Sequence, residues 1–202
     1  MSRPYCSSCQ RPQVSCICHL TFSTKNNVHV VVLQHPSEEH QTKGTVKLLE
    51  QSLSSCQVFI GEDFSQHQGL IEVLNQYKRN TVLLYPSDKA TVLQGELNEN
   101  MTKINQKIEC IILLDGTWKK AYRLYMMNSA LHKIPHCVLP DSLKGEYQIR
   151  KTKKHGALST LEACCYGLGM IEKQPENYLG LLEQFKKFNV MQLAFLPNTP
   201  RQ

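Results

Sequence analysis

Apolar and polar positions along this chain follow two alternating periods. Residues 28–34 (VHVVVLQ) are β-branched and nearly continuous, the pattern of a strand buried on both faces. Residues 43–54 then take helical spacing through Val46, Leu49 and Leu53. Cys56–Ile60 predicts a second strand, and residues 66–77 a helix with Leu70, Ile71 and Leu74 on one face. Thr81–Tyr85 predicts a third strand, stopped by Pro86. Residues 86–107 show little periodicity. Residues 108–114 (IECIILL) predict a fourth strand, and a helix begins near Thr117 with Ala121, Leu124 and Tyr125 inward. His136–Leu139 predicts a fifth strand and Tyr147–Arg150 a sixth, with closing helices over 160–173 and 176–188. Strands alternating with helices imply an α/β fold, a mostly parallel sheet with helices on both faces. Residues 1–24 stand apart as polar, cysteine-rich and aperiodic, so the chain divides into 1–24 and 25–202.

Composition narrows the class. The chain has 202 residues, 41% hydrophobic and 20% charged, enough to bury a core and too apolar for disorder. Its longest apolar run, Cys110–Leu114, is far short of a membrane span, and the N-terminus lacks the apolar core of a signal peptide. The expectation is a soluble, cytoplasmic protein with no membrane partner and no obligatory protein partner. Nine cysteines in a reducing compartment argue for metal rather than a disulfide framework. Cys6, Cys9, Cys16 and Cys18 form a four-thiolate zinc pattern, with His19 the one alternative donor beside them. A closed tetrahedral site of this kind is structural: a small zinc knuckle with no open position for chemistry.

Charge adds a partner. Residues 101–155 hold eleven Lys/Arg against four Asp/Glu, or +7; the remainder holds twelve against thirteen, or −1. Positive charge gathered in one stretch favours a polyanion such as RNA, the plainer alternative being a solvated basic surface. Lys119, Lys120 and Arg123 on the helix after Thr117, and the run Arg150, Lys151, Lys153 and Lys154, are the candidate phosphate contacts.

Candidate chemistry sits at strand ends. Ligands of an open parallel sheet lie outside the carboxyl ends of its strands. The most apolar strand here ends in Leu114-Asp115-Gly116-Thr117-Trp118. An Asp at that crevice is a candidate general base. The alternative is that Asp115 or Thr117 only caps the next helix and Trp118 is only core. Gln34-His35-Pro36 and Leu84-Tyr85-Pro86 close two other strands. Ser159-x-x-Glu162 matches a capping box. The same helix start could instead hold a ligand carboxylate on its amides, with Glu162 pairing a ligand ammonium.

Taken in order, the cysteine knuckle, His35-Pro36-x-Glu38 with Thr45-x-x-Leu48-Leu49, Asp115-x-Thr117-Trp118 and Leu158-Ser159-Thr160-x-Glu162-Ala163 closely resemble the DTW-domain family of tRNA-uridine aminocarboxypropyltransferases. The resemblance spans roughly residues 6–190. It implies a SPOUT-like fold with a trefoil knot in the C-terminal half. It implies transfer of the 3-amino-3-carboxypropyl group of S-adenosylmethionine to N3 of a tRNA uridine, in the variable loop, releasing 5′-methylthioadenosine. Asp115 would be the base. The cofactor would lie against Gln34, His35, Pro36, Leu84, Tyr85, Pro86, Leu114, Gly116, Thr117, Trp118, Leu158, Ser159, Thr160 and Glu162. Two rivals remain at this point: a SPOUT-type RNA methyltransferase, and a zinc-containing RNA-binding module without chemistry.

Overall fold

The computed structural model describes residues 4–93, 107–143 and 158–195. Six strands form one sheet: β1 (His29–Gln34), β2 (Cys56–Ile60), β3 (Thr81–Leu84), β4 (Thr91–Val92), β5 (Cys110–Asp115) and β6 (His136–Val138). Their order is β2-β1-β5-β3-β6-β4, and every pairing is parallel. All carboxyl ends therefore reach the same edge. The helices are α1 (Val46–Ser52), α2 (Gln68–Tyr77), α3 (Trp118–Met127), α4 (Thr160–Glu172) and α5 (Leu179–Ala194).

The central strands have two buried faces, which is why their apolar runs are continuous rather than alternating. Val30, Val32, Val82, Ile111 and Leu113 pack with α1, α4 and α5, whereas Val31, Leu33, Leu83 and Ile112 pack with α2 and α3. Burying each such side chain is worth roughly 1.5–3 kcal/mol, so the β1–β5–β3 centre anchors the fold. The expected fold class holds: helices cover both faces.

Three elements differ from the sequence expectation. The strand foreseen over 108–114 runs Cys110–Asp115, so Asp115 itself belongs to the ladder and pairs in register with Gln34. A sixth strand arises at Thr91–Val92, inside the segment without periodicity, because two residues are too few to show a period. The last helix extends to Ala194 instead of stopping near 188. Its second half buries polar Asn189 and Gln192 while Val190 and Leu193 face out, which hides the apolar stripe. The strand expected over 147–150 and the basic run Arg150, Lys151, Lys153 and Lys154 lie outside the described residues. So does the path through 144–157, without which a knot cannot be traced. No helix among the described residues is long and apolar enough to cross a membrane.

The cysteine segment docks on this body. Cys9, Ile17 and Leu20 bury in the same cluster as α1, α4 and α5. Arg11 donates to the carbonyls of Thr42 (2.6 Å) and Gly44 (2.7 Å), and its guanidinium lies 5.3 Å from the centre of the Phe188 ring.

Candidate active site and cysteine centre

The strand order β2-β1-β5-β3 changes the direction in which the chain crosses the sheet between β1 and β5, the place where ligands of open parallel sheets lie. Asp115 ends β5 there and is only 4% exposed. Each carboxylate oxygen has its own donor. Gln34, at the end of β1, donates its amide N–H to Oδ2 at 2.9 Å, and Thr160, opening α4, donates its hydroxyl to Oδ1 at 2.6 Å. Two hydrogen bonds from neutral groups compensate a buried carboxylate without neutralising it, and they fix its plane. Asp115 is thus no helix cap. That role falls to Thr117, whose Oγ1 accepts the Lys120 amide at 3.4 Å.

The neighbouring positions are arranged around this trio. The His35 amide donates to the Asp115 carbonyl at 3.1 Å. The His35 ring is spanned between Ser37, through Nδ1, and Glu62, 2.7 Å from Nε2. Glu62 also receives Arg123 at 2.7 Å. Pro36 opens a 3-10 turn that carries Glu38, a buried carboxylate 2.7 Å from the Lys120 ammonium. Gly116 is required by close packing: a Cβ there would meet Lys120 Cβ at 2.9 Å. Leu84 and Leu114 are half-buried, Pro86 is exposed, and Tyr85 is buried with its ring stacked on Tyr125. Burial, with Tyr125 and Tyr122 nearby, pushes the Tyr85 phenol above its ordinary value.

At the start of α4 the capping box is present in full. Ser159 Oγ accepts the Glu162 amide at 3.2 Å, and Glu162 Oε2 accepts the Ser159 amide at 2.8 Å. Glu162 is 1% exposed, with Oε2 turned to its own helix end. Leu158 precedes the cap and is half-buried. Trp118 is 51% exposed and so is not core; Ala121 and Leu124 anchor α3 instead. Of the three basic positions on α3, Lys119 is exposed, while Lys120 and Arg123 already hold Glu38 and Glu62.

Two features escaped the sequence reading. Glu62 follows the carboxyl end of β2, a strand end that could have been examined like the other three. The pair Ser87–His136 joins the β3 loop to β6, with Ser87 Oγ 2.6 Å from Nδ1, while Nε2 donates to the Leu131 carbonyl at 3.1 Å. Nothing in local sequence links two positions so far apart.

The cysteine centre is built by a tight turn. The Cys6 amide donates to the Arg11 carbonyl at 2.8 Å, and Gln10 takes a left-handed φ of 58° to reverse the chain. The four Sγ atoms lie within 4.8 Å of one another and could hold a metal ion. Cys6 and Cys18 sulfurs are 3.6 Å apart, and those of Cys9 and Cys16 are 3.9 Å apart. A tetrahedron with metal–sulfur bonds of about 2.3 Å has edges of roughly 3.8 Å, so the donor set fits. The Cys9 and Ser8 amides hold the Cys6 thiol down to about 6. The Cys18 amide acts the same way on Cys16, but burial and the adjoining sulfurs push that thiol up to about 12. All nine cysteines are free thiols.

Comparison with known proteins gives a consistent result. The profile of the family described as the DTW domain matches residues 3–193. A Macaca fascicularis protein named tRNA-uridine aminocarboxypropyltransferase 2 is 32% identical over 181 residues, covering 88% of this chain and 59% of its own. The Mus musculus protein of that name is 34% identical over 180 residues, covering 85% and 57%. The Drosophila melanogaster one is 32% identical over 181 residues, covering 86% and 69%. The chain thus spans less than three fifths of the two mammalian relatives. No solved structure matches it.

Proposed function

Because the chain belongs to the DTW-domain family, we propose that it transfers the 3-amino-3-carboxypropyl group of S-adenosylmethionine to N3 of a uridine in tRNA, the variable-loop uridine. The reading draws on relatives whose names state tRNA-uridine aminocarboxypropyl transfer. The observation that carries it in this chain is Asp115, buried at a strand carboxyl end and held by Gln34 and Thr160.

The bound co-substrate would supply an alkyl carbon activated by its sulfonium, with 5′-methylthioadenosine as the leaving group. The protein's task is deprotonation and alignment. N3 of uridine carries a proton at neutral pH and is a poor nucleophile until it leaves. Asp115 accepts that proton. Gln34 and Thr160 hold the carboxylate plane, so little reorganisation accompanies the step. The backbone of Leu84–Pro86, Leu114–Gly116 and Leu158–Thr160 lines the crevice for the nucleoside and amino-acid parts, with His35 and Pro36 beside them. The amides of Thr160 and Leu161 stand at the positive end of α4 and suit the amino-acid carboxylate. Glu162 acts through the cap, fixing Ser159 and hence Thr160. Thr117 and Trp118 complete the wall at α3. Lys119 and the run Arg150, Lys151, Lys153 and Lys154 take tRNA phosphates. Residues 1–24 form the zinc unit, with Cys6, Cys9, Cys16 and Cys18 as ligands in a purely structural role.

The test uses unmodified tRNA and S-adenosylmethionine labelled separately in the carboxyl carbon and the methyl group. Carboxyl label is expected in tRNA, together with released methylthioadenosine. Methyl label in tRNA would make the protein a methyltransferase, and neither label would leave an RNA-binding module.

A further inference from the structure

One face of α3 carries a row of exposed apolar side chains beyond Trp118 that the mechanism does not use. Trp118, Tyr122 and Met126 are 51%, 57% and 50% exposed. They recur every fourth residue, about 6 Å apart along the axis, and so form one stripe. Ala121 and Leu124 fill the opposite, inward side. Lys119 and Arg123 border the stripe, and α3 contains no acidic residue. Arg123 remains 60% exposed although it bridges to Glu62. Exposed large apolar side chains normally occur singly on a surface; three in line beside two cations do not fit that background. The stripe also starts three residues after Asp115, at the first residue of α3.

We propose that this stripe is the docking surface for unpaired nucleotides of the tRNA, with Tyr122 stacking on a base and Lys119 taking an adjoining phosphate. The inference rests on the tRNA reading above. N3 lies on the pairing edge of uracil, so the target base must be unpaired and drawn out of its stack before it can react. Its neighbours then lose stacking too, and an aromatic platform beside the crevice replaces it. Aromatic faces with flanking cations are how proteins hold single-stranded RNA without needing a fixed sequence. A second copy of this chain fits less well. A two-fold interface on α3 would bring the two copies of Lys119 together with no acid on the helix to receive them.

The experiment measures binding of fluorescent unmodified tRNA without S-adenosylmethionine, for wild type, Tyr122→Ala, Tyr122→Phe and Lys119→Ala. Sedimentation and thermal melting are run on the same samples. Tyr122→Ala should weaken binding roughly five- to hundredfold at unchanged melting temperature. Tyr122→Phe keeps the ring and should bind like wild type. Lys119→Ala should flatten the salt dependence by about one unit of slope. Wild-type affinity in Tyr122→Ala would overturn the proposal. So would a wild-type dimer that this variant splits with tRNA affinity intact, which would make the face a self-interface. Failure of carboxyl-label transfer with Tyr122-dependent tRNA binding retained would sink the transferase reading alone. Normal transfer with Tyr122-independent binding would sink the docking surface alone.

Discussion

Replacing Lys120 with Met removes the ammonium that sits 2.7 Å from Glu38 Oε1. The two side chains are 29% and 4% exposed, so the carboxylate stays in the protein interior after its cation has gone. At an effective dielectric near 20, the attraction at this separation is about 6 kcal/mol. Desolvating both ions offsets much of it, and breaking a buried pair by deleting one partner costs roughly 3–5 kcal/mol. Because Lys120 retains some exposure, the lower end applies, about 3 kcal/mol, or a melting temperature lower by roughly 6–12 °C. The double variant Lys120→Met with Glu38→Gln should recover most of the loss, since the buried carboxylate is removed together with the ammonium. Urea unfolding followed by circular dichroism gives the three free energies. The salt dependence of tRNA binding is the second readout, and it should keep its slope in Lys120→Met. A stability within about 0.5 kcal/mol of wild type, with a slope reduced by about 0.9, would refute the reasoning and make Lys120 a phosphate contact.

Further outcomes follow from the site and the thiols. Asp115→Asn should abolish transfer while leaving calorimetric binding of S-adenosylmethionine nearly intact; full activity in that variant would remove Asp115 as the base. Thr160→Val deletes a hydroxyl donor to a charged acceptor and should lower kcat roughly tenfold or more without changing tRNA affinity; an unchanged kcat would show that Thr160 does not position the carboxylate. Burial pushes the Cys56, Cys110 and Cys137 thiols from 9.0 up to about 12. They stay neutral in the fold while the unfolded chain ionises. Stability is therefore full below about pH 9 and falls as pH rises toward 12, and urea midpoints across that window should show it. Cys56→Ala should flatten the fall, and an identical fall would exclude Cys56 as a source. Chelation should release one divalent ion per chain and lower the melting temperature, because Cys9, Ile17 and Leu20 then leave the shared core; an unchanged melt would mean the cluster is dispensable.

What was legible in the sequence was what local period and strand ends encode. The runs at Val30–Leu33 and Ile111–Leu113 have no polar member, and only a sheet covered on both faces accounts for that. The cysteine spacing announced a centre whose sulfurs do converge. Ser159 and Glu162 announced the cap, and the cap is present in full. Contacts between distant positions were not legible. Gln34 and Thr160 each stood out as crevice residues, yet nothing in either segment says that both grip Asp115. Lys120 and Arg123 looked like solvent-facing cations because helical spacing puts them outward; their acids come from the loops after β1 and β2. Trp118 looked equally suited to core or wall, since an aromatic at the first helical position satisfies either.

The Asp115 trio also sets an order of events during synthesis. Gln34 and Asp115 are 81 residues apart, and Asp115 and Thr160 another 45. The middle of the sheet, β1 against β5, closes a long loop before its hydrogen bonds can offset the entropy lost. A nascent chain emerging from the ribosome can lay β1 beside β2 early, but it must wait for β5 to fill the gap and for α4 to deliver Thr160. The Asp115 carboxylate is therefore among the last groups to be clamped.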